Sequence, residues 1–134
     1  MPKGSMNFEE MAALVKKATE RYDSLQSDAL VNKRTGYITL RWEGAEEHWV
    51  QIELGIEAFF FEVDRGYQAV ACEYDAPGQS ELLEEFVDAA YKYLTGRFAV
   101  SSRRSLLGRK LEIVTIEVDQ GEQLELKRMR QPRS

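Results

Sequence analysis

The sequence predicts an α+β fold, a twisted antiparallel sheet of about six to eight strands with two helices packed on one face. Three observations predict it. Between Tyr37 and Tyr74 four apolar-rich runs, YITLRW, EHWVQIEL, IEAFFFEVD and YQAVACEY, are separated by EGAE, Gly55 and Arg65-Gly66. Such short breaks suit hairpin turns because they tolerate positive φ. On each side of this meander lies one stretch whose apolar residues recur every three or four positions, the period of a helix with one buried face. After the second such stretch the chain alternates again in LEIVTIEV and EQLELKRM, around the turn Asp119-Gln120-Gly121. The predicted order is helix, meander, helix, hairpin.

The first helix opens with Asn7 as N-cap and Glu10 three residues on, the spacing of a capping box. Phe8, Met11, Ala12, Val15, Ala18, Tyr22 and Leu25 form its buried stripe, with Glu9, Lys16, Lys17, Glu20 and Asp23 opposite, and it ends near Ser24. Asp28 to Lys33 then reads as a short strand leading into the meander. Within the meander, side chains alternate between the two sheet faces. Ile38, Leu40, Trp42, Val50, Ile52, Leu54, Phe59, Phe61, Val63, Val70, Cys72 and Tyr74 are expected to face the helices. A linker, Asp75 to Gln79, leads to Ser80 as N-cap of the second helix, which Gly96 stops. Leu82, Leu83, Phe86, Val87, Ala90, Tyr93 and Leu94 make its stripe, and Glu81, Glu84 and Glu85 fall in its first turn, where they suit the helix dipole. A strand over residues 97–102, a basic loop SRRSLLGRK and the closing hairpin follow.

A chain of 134 residues is the size of one domain. Residues 1–5, with Gly4-Ser5-Met6, read as an expression-vector remnant, residues 6–130 as a single α+β domain, and 131–134 as a frayed tail. Hydrophobic residues make up 43% and charged ones 31%, and no apolar run approaches the roughly 20 residues a membrane-spanning helix needs. The start lacks the pattern of a signal peptide, so a cytoplasmic, non-membrane protein is expected.

The net charge of −5 conceals a strong asymmetry. Residues 43–85 carry twelve acids against Arg65 alone, a net −11, whereas residues 97–134 carry nine bases and five acids, a net +4. The acidic middle repels phosphate backbones, which argues against nucleic acid, and attracts a basic partner.

Catalytic motifs are missing: there is no phosphate loop, GxGxxG, HExxH or GxSxG. One cysteine and one histidine leave little scope for zinc or histidine chemistry, and no cofactor or metal is expected. His48, beside Glu46 and Glu47, reads as structural. Cys72 reads as a buried, inert thiol. The surface that stands out is the other sheet face, where Tyr37, Trp49, Phe60 and Tyr67 are expected to form an anchor patch rimmed by Glu53, Glu62 and Glu73. A homodimer face would look the same. Arg103, Arg104, Arg109 and Lys110 form a second candidate, for an anion, because guanidinium forks grip phosphates and carboxylates.

The segment Tyr93-Leu94-Thr95-Gly96-Arg97-Phe98, followed by Arg103-Arg104 and Leu107-Gly108-Arg109-Lys110 before a hairpin, resembles the small acidic immunity proteins of bacterial polymorphic and contact-dependent toxin systems. It covers about a quarter of the chain. The resemblance implies a non-enzymatic, stoichiometric toxin inhibitor that presents acidic and aromatic side chains to its target. In size, acidity and α+β composition the chain is also similar to class I secretion chaperones, which are usually dimeric, but those finish with a helix and this chain finishes with a strand hairpin. The expected function is a protein-binding module that neutralises a basic protein. The alternatives are a small-molecule binder or modest enzyme, with a pocket between the second helix and the sheet lined by Trp42, Tyr74 or Tyr93, and a secretion-chaperone-like protein.

Overall fold

In a computed structural model of the chain, which describes residues 8–20, 22, 30–32, 37–55, 57–104, 106–108, 110–118 and 121–129, the predicted α+β fold is present. Helix α1 (Phe8–Glu20) precedes strands β1 (Leu30–Asn32), β2 (Tyr37–Glu43), β3 (Trp49–Leu54), β4 (Ala58–Val63) and β5 (Gln68–Cys72). Helix α2 (Ala76–Leu94) and strands β6 (Ala99–Arg104), β7 (Lys110–Glu117) and β8 (Gln123–Met129) follow. The eight strands form one open antiparallel sheet in the order β1-β2-β3-β4-β5-β8-β7-β6. The chain thus leaves β5 through α2, reaches the far edge at β6, and folds back through β7 and β8 to meet β5.

One core holds the layers together. Met11, Val15 and Ala18 of α1 and Leu82, Leu83, Phe86, Val87, Ala89, Ala90 and Tyr93 of α2 pack with the inward residues of β2–β5, β7 and β8. Phe86 meets Phe61 edge to face, with ring centres 5.3 Å apart. Burial of such rings, at about 1.5–3 kcal/mol each, is the main force holding helices on sheet. Of the expected stripes, Met11, Val15 and Ala18 of α1 and Leu82, Leu83, Phe86, Val87, Ala90 and Tyr93 of α2 are buried; Ala12 and Leu94 are half-buried, as is Tyr22 beyond the end of α1, and α2 buries Gln79, Asp88 and Ala89 besides. Asn7, Asp23, Ser24, Leu25, Asp28 and Lys33, like residues 1–5 and 131–134, lie outside the described residues.

Two expectations are corrected. Helix α2 begins at Ala76, not after Ser80: Asp75 is its N-cap and accepts the Gly78 N–H through Oδ1 at 2.7 Å, and Pro77 sits in the first turn, where its missing N–H costs nothing. Glu81, Glu84 and Glu85 therefore lie beyond the first turn, and the expected linker is helix. The second correction concerns the face of β5. Its pairing sets Phe61 opposite Ala69 and Phe59 opposite Ala71. The three-residue turn Asp64–Gly66, with Arg65 and Gly66 at φ 67° and 84°, closes with the Val63 N–H on the Tyr67 carbonyl. An odd-length turn between Val63 and Tyr67 forces odd residues of β5 inward. Tyr67, Ala69 and Ala71 therefore face the helices, and Val70, Cys72 and Tyr74 are exposed. The expected alternation holds for the described side chains of β2, β3 and β4, whose inward residues are buried.

Candidate functional site

The two helices cover one face of the meander, and among the described residues no segment covers the other. The terminal hairpin extends the sheet sideways beyond β5 instead of folding across that face. The strand register lays the open face out in rows. Glu43 and Trp49 pair at one end; then Arg41, Gln51, Glu62 and Gln68 form a row; then Thr39, Glu53, Phe60 and Val70. Arg41 lies 4.4 Å over the Trp49 ring and donates to Gln51 Oε1 at 3.2 Å. Phe60 is half-buried between the Glu53 carboxylate and Val70, which is 57% exposed. A small cleft of about 110 Å³ here is lined by Gln51, Glu53, Phe60, Glu62 and Gln68, together with Phe61 and Ala69.

The expected anchor patch is only partly assembled. Trp49 and Phe60 lie on the open face but two rows apart, with the row of Gln51 and Glu62 between them, and the side chain of Tyr37 is outside the described set. Tyr67 belongs to the opposite face. It is 6% exposed and donates its hydroxyl to Glu112 Oε2 at 2.7 Å, while Arg128 lies over its ring and donates to the Arg65 carbonyl at 2.7 Å. Glu73 leaves the rim as well. Its N–H bonds the Glu57 carbonyl, its own carbonyl accepts from Gln79 Nε2, and its carboxylate lies against Gly78 in the first turn of α2. Glu53 and Glu62 are the expected rim residues that remain. Cys72, expected to be buried, is exposed on this same open face because of the β5 register. Arg103 and Arg104 stand at the end of β6 and not in a loop, Lys110 pairs with Arg104 in register, and Arg109 lies outside the described residues.

A buried polar cluster escaped the sequence. Asp64, 8% exposed in the β4–β5 turn, accepts the Tyr93 hydroxyl at 2.7 Å and the Trp49 N–H at 3.1 Å, both through Oδ1, and its Oδ2 lies 3.1 Å from His48 Nδ1. Burial disfavours the Asp64 charge, but the hydrogen bonds from Tyr93, Trp49 and His48 outweigh it and hold the carboxyl below its ordinary range. Tyr93 responds in the opposite sense, pushed well above the usual phenol range by burial and by the hydrogen bond to Asp64. The Phe98 ring stacks on Tyr93 at 4.5 Å and meets His48 edge-on at 5.9 Å. The cluster ties the β4–β5 turn, the end of α2 and the turn at residues 45–47, where Glu46 and Glu47 hold φ of 58° and 62°. His48 Nε2 faces Glu46 at 3.9 Å. An acidic residue in a turn gives no sequence signal of such a role, which depends on a contact 29 residues away.

A cleft of about 560 Å³ lies where α2 ends, lined by Lys92, Arg97, Phe98, Thr115, Glu117 and Gln123 among others. It does not include Trp42, Tyr74 or Tyr93, the residues expected around a ligand pocket, nor His48. Among the described residues no group of three or more His, Cys, Asp or Glu side chains is placed to hold a metal ion, and no helix is long and apolar enough to cross a membrane. No protein-family model, no curated protein and no solved structure matches this chain, so its site is known from its own residues alone.

Proposed function

We propose that the chain is a non-enzymatic protein-binding module that docks a basic protein on the open face of its meander, in the manner of an immunity protein neutralising a toxin. The observation that carries this is the cleft at Phe60. Its size suits one long side chain, and its lining combines Phe60 with Glu53 and Glu62. A lysine or arginine of a partner would lay its apolar stem on Phe60 and its charge between the carboxylates. The surrounding segment, net −11 over residues 43–85, would speed the encounter with such a partner. His48 and Asp64 serve in this view as a tie between turns, since the cleft at the end of α2 does not reach them.

The test is a photo-crosslinking amino acid at position 60, with position 16 on the exposed side of α1 as control, in cells of the native host. The expected result is one basic protein captured from position 60 only, whose affinity for the purified chain drops at least about tenfold in Glu53→Lys/Glu62→Lys. Equal capture from both positions, or an affinity unmoved by the charge reversal, would overturn the assignment.

A further inference from the structure

We propose that β6 is a strand-addition site for an extended, acidic segment of a partner protein, a second docking surface independent of the open face. The observation starts with the sheet order, in which β6 is the last strand. All six of its residues pair with β7, all six are exposed, and among the described residues nothing pairs with its other side. In an antiparallel ladder successive residues turn their N–H and C=O alternately toward and away from the neighbour. Half of the β6 backbone groups are therefore presented outward as a template for a ninth strand supplied by a partner.

Proteins usually blunt such an edge with proline, a bulge, an inward-pointing charge or simple brevity. At the opposite edge β1 is three residues long. β6 is twice that length, and its only guard is the pair of charges Arg103 and Arg104 at one end; Ala99–Ser102 carries no proline, bulge or charge. The apolar surface concentrates here as well: of the five exposed large apolar side chains described, Val100 sits on β6 and Leu106 and Leu107 on the turn that follows it. Together an open hydrogen-bonding edge and exposed apolar side chains beside it are what strand addition uses, the first for affinity and the second for side-chain selection.

Charge decides the occupant. Residues 97–111 contain five bases and no acid. Arg103, Arg104 and Lys110 sit together at one end of the β6–β7 ladder, none of them ion-paired among the described residues, and Arg97 precedes the other end. A second copy of β6 would bring another Arg97, Arg103 and Arg104 to the same short ladder, a repulsion with nothing to offset it. An incoming strand with alternating carboxylates places its charges against these guanidinium groups, where paired bonds are strong. A nucleic acid would satisfy the cations but leave the outward N–H and C=O row and the leucines unused.

The probe is a fluorescein-labelled, end-capped alternating Glu-Val peptide, measured against the full chain by fluorescence anisotropy, with the Lys-Val peptide and oligo-dT as comparisons. The Glu-Val peptide is expected to bind at least about tenfold tighter than the Lys-Val peptide and to lose about that factor in Arg103→Glu/Arg104→Glu. Of Ser101→Pro and Ser102→Pro, one removes an inward N–H and lowers the melting temperature, whereas the other removes an outward N–H. The outward one is expected to leave melting unchanged and to abolish peptide binding. An outward-facing proline that binds the peptide as well as the parent overturns the proposal. So does equal binding of the two peptides, absence of binding, or tighter oligo-dT binding unaffected by both prolines. None of these readouts involves Glu53 or Glu62, so failure here leaves the open-face assignment standing, and the reverse.

Discussion

The two halves of the sheet, β2–β5 and β6–β8, are made of the same element, the antiparallel hairpin, and differ in what covers them. In β3 and β4 every second residue is fully buried, because that half lies under the helices and its inward side chains include Phe59 and Phe61; α2 reaches across to β7 as well. In the other half Val114 and Ile116 of β7, Val118 just after it and Leu126 of β8 join the core, but β6 contributes nothing and is exposed along its length. The join between the halves is slight in backbone terms. The pairing of β5 with β8 is a single residue pair, Gln68 with Lys127, and side chains do the rest through Tyr67, Glu112 and Arg128. The difference teaches that alternation in sequence is produced by a cover, not by the strand itself: where helices lie above, one face must be apolar, and where nothing lies above, neither face is constrained.

The sharpest way to break this comparison is to remove a large side chain from each half. Phe61→Ala, which empties a site against Phe86, is expected to lower unfolding free energy by about 3–5 kcal/mol, while Val100→Ala on β6 stays within about 0.5 kcal/mol, both read from urea midpoints. Comparable losses at the two positions would mean that β6 is covered after all.

Asp64→Asn addresses the polar tie at the meander end. It is expected to cost about 2 kcal/mol at neutral pH, since the carboxylate takes hydrogen bonds from Tyr93, Trp49 and His48. The folded Asp64 titrates lower than the unfolded one, so its stabilisation is present above the ordinary carboxylate range and is lost as pH falls through the lower folded value. The gap between parent and variant should therefore narrow below about pH 4. A gap that widens in acid contradicts the assignment.

The smallest effect is expected at the seam. Tyr67→Phe keeps the ring and deletes the hydroxyl bonded to Glu112, at about 1–2 kcal/mol. Hydrogen exchange should then rise in β7 and β8 with little change in β2–β4, because the halves meet through few backbone bonds. Uniform acceleration across the sheet would show instead that they open as one unit.

The sequence by itself determined the element order, the helix stripes and the faces of β2, β3 and β4. In those elements large apolar residues recur at the period of the structure, and burial leaves no other solution. It misplaced β5 because Val70, Cys72 and Tyr74 outweigh Tyr67, Ala69 and Ala71 in bulk, yet the hairpin register, and not bulk, decides which residues oppose Phe59 and Phe61. It missed the start of α2 because Asp75 and Pro77 resemble a loop until the capped turn is seen. The Asp64 cluster, the separation of Trp49 from Phe60 and the free edge at β6 were decided only by tertiary structure. Each depends on which strand lies beside which, and such long-range neighbours leave no periodic mark along the chain.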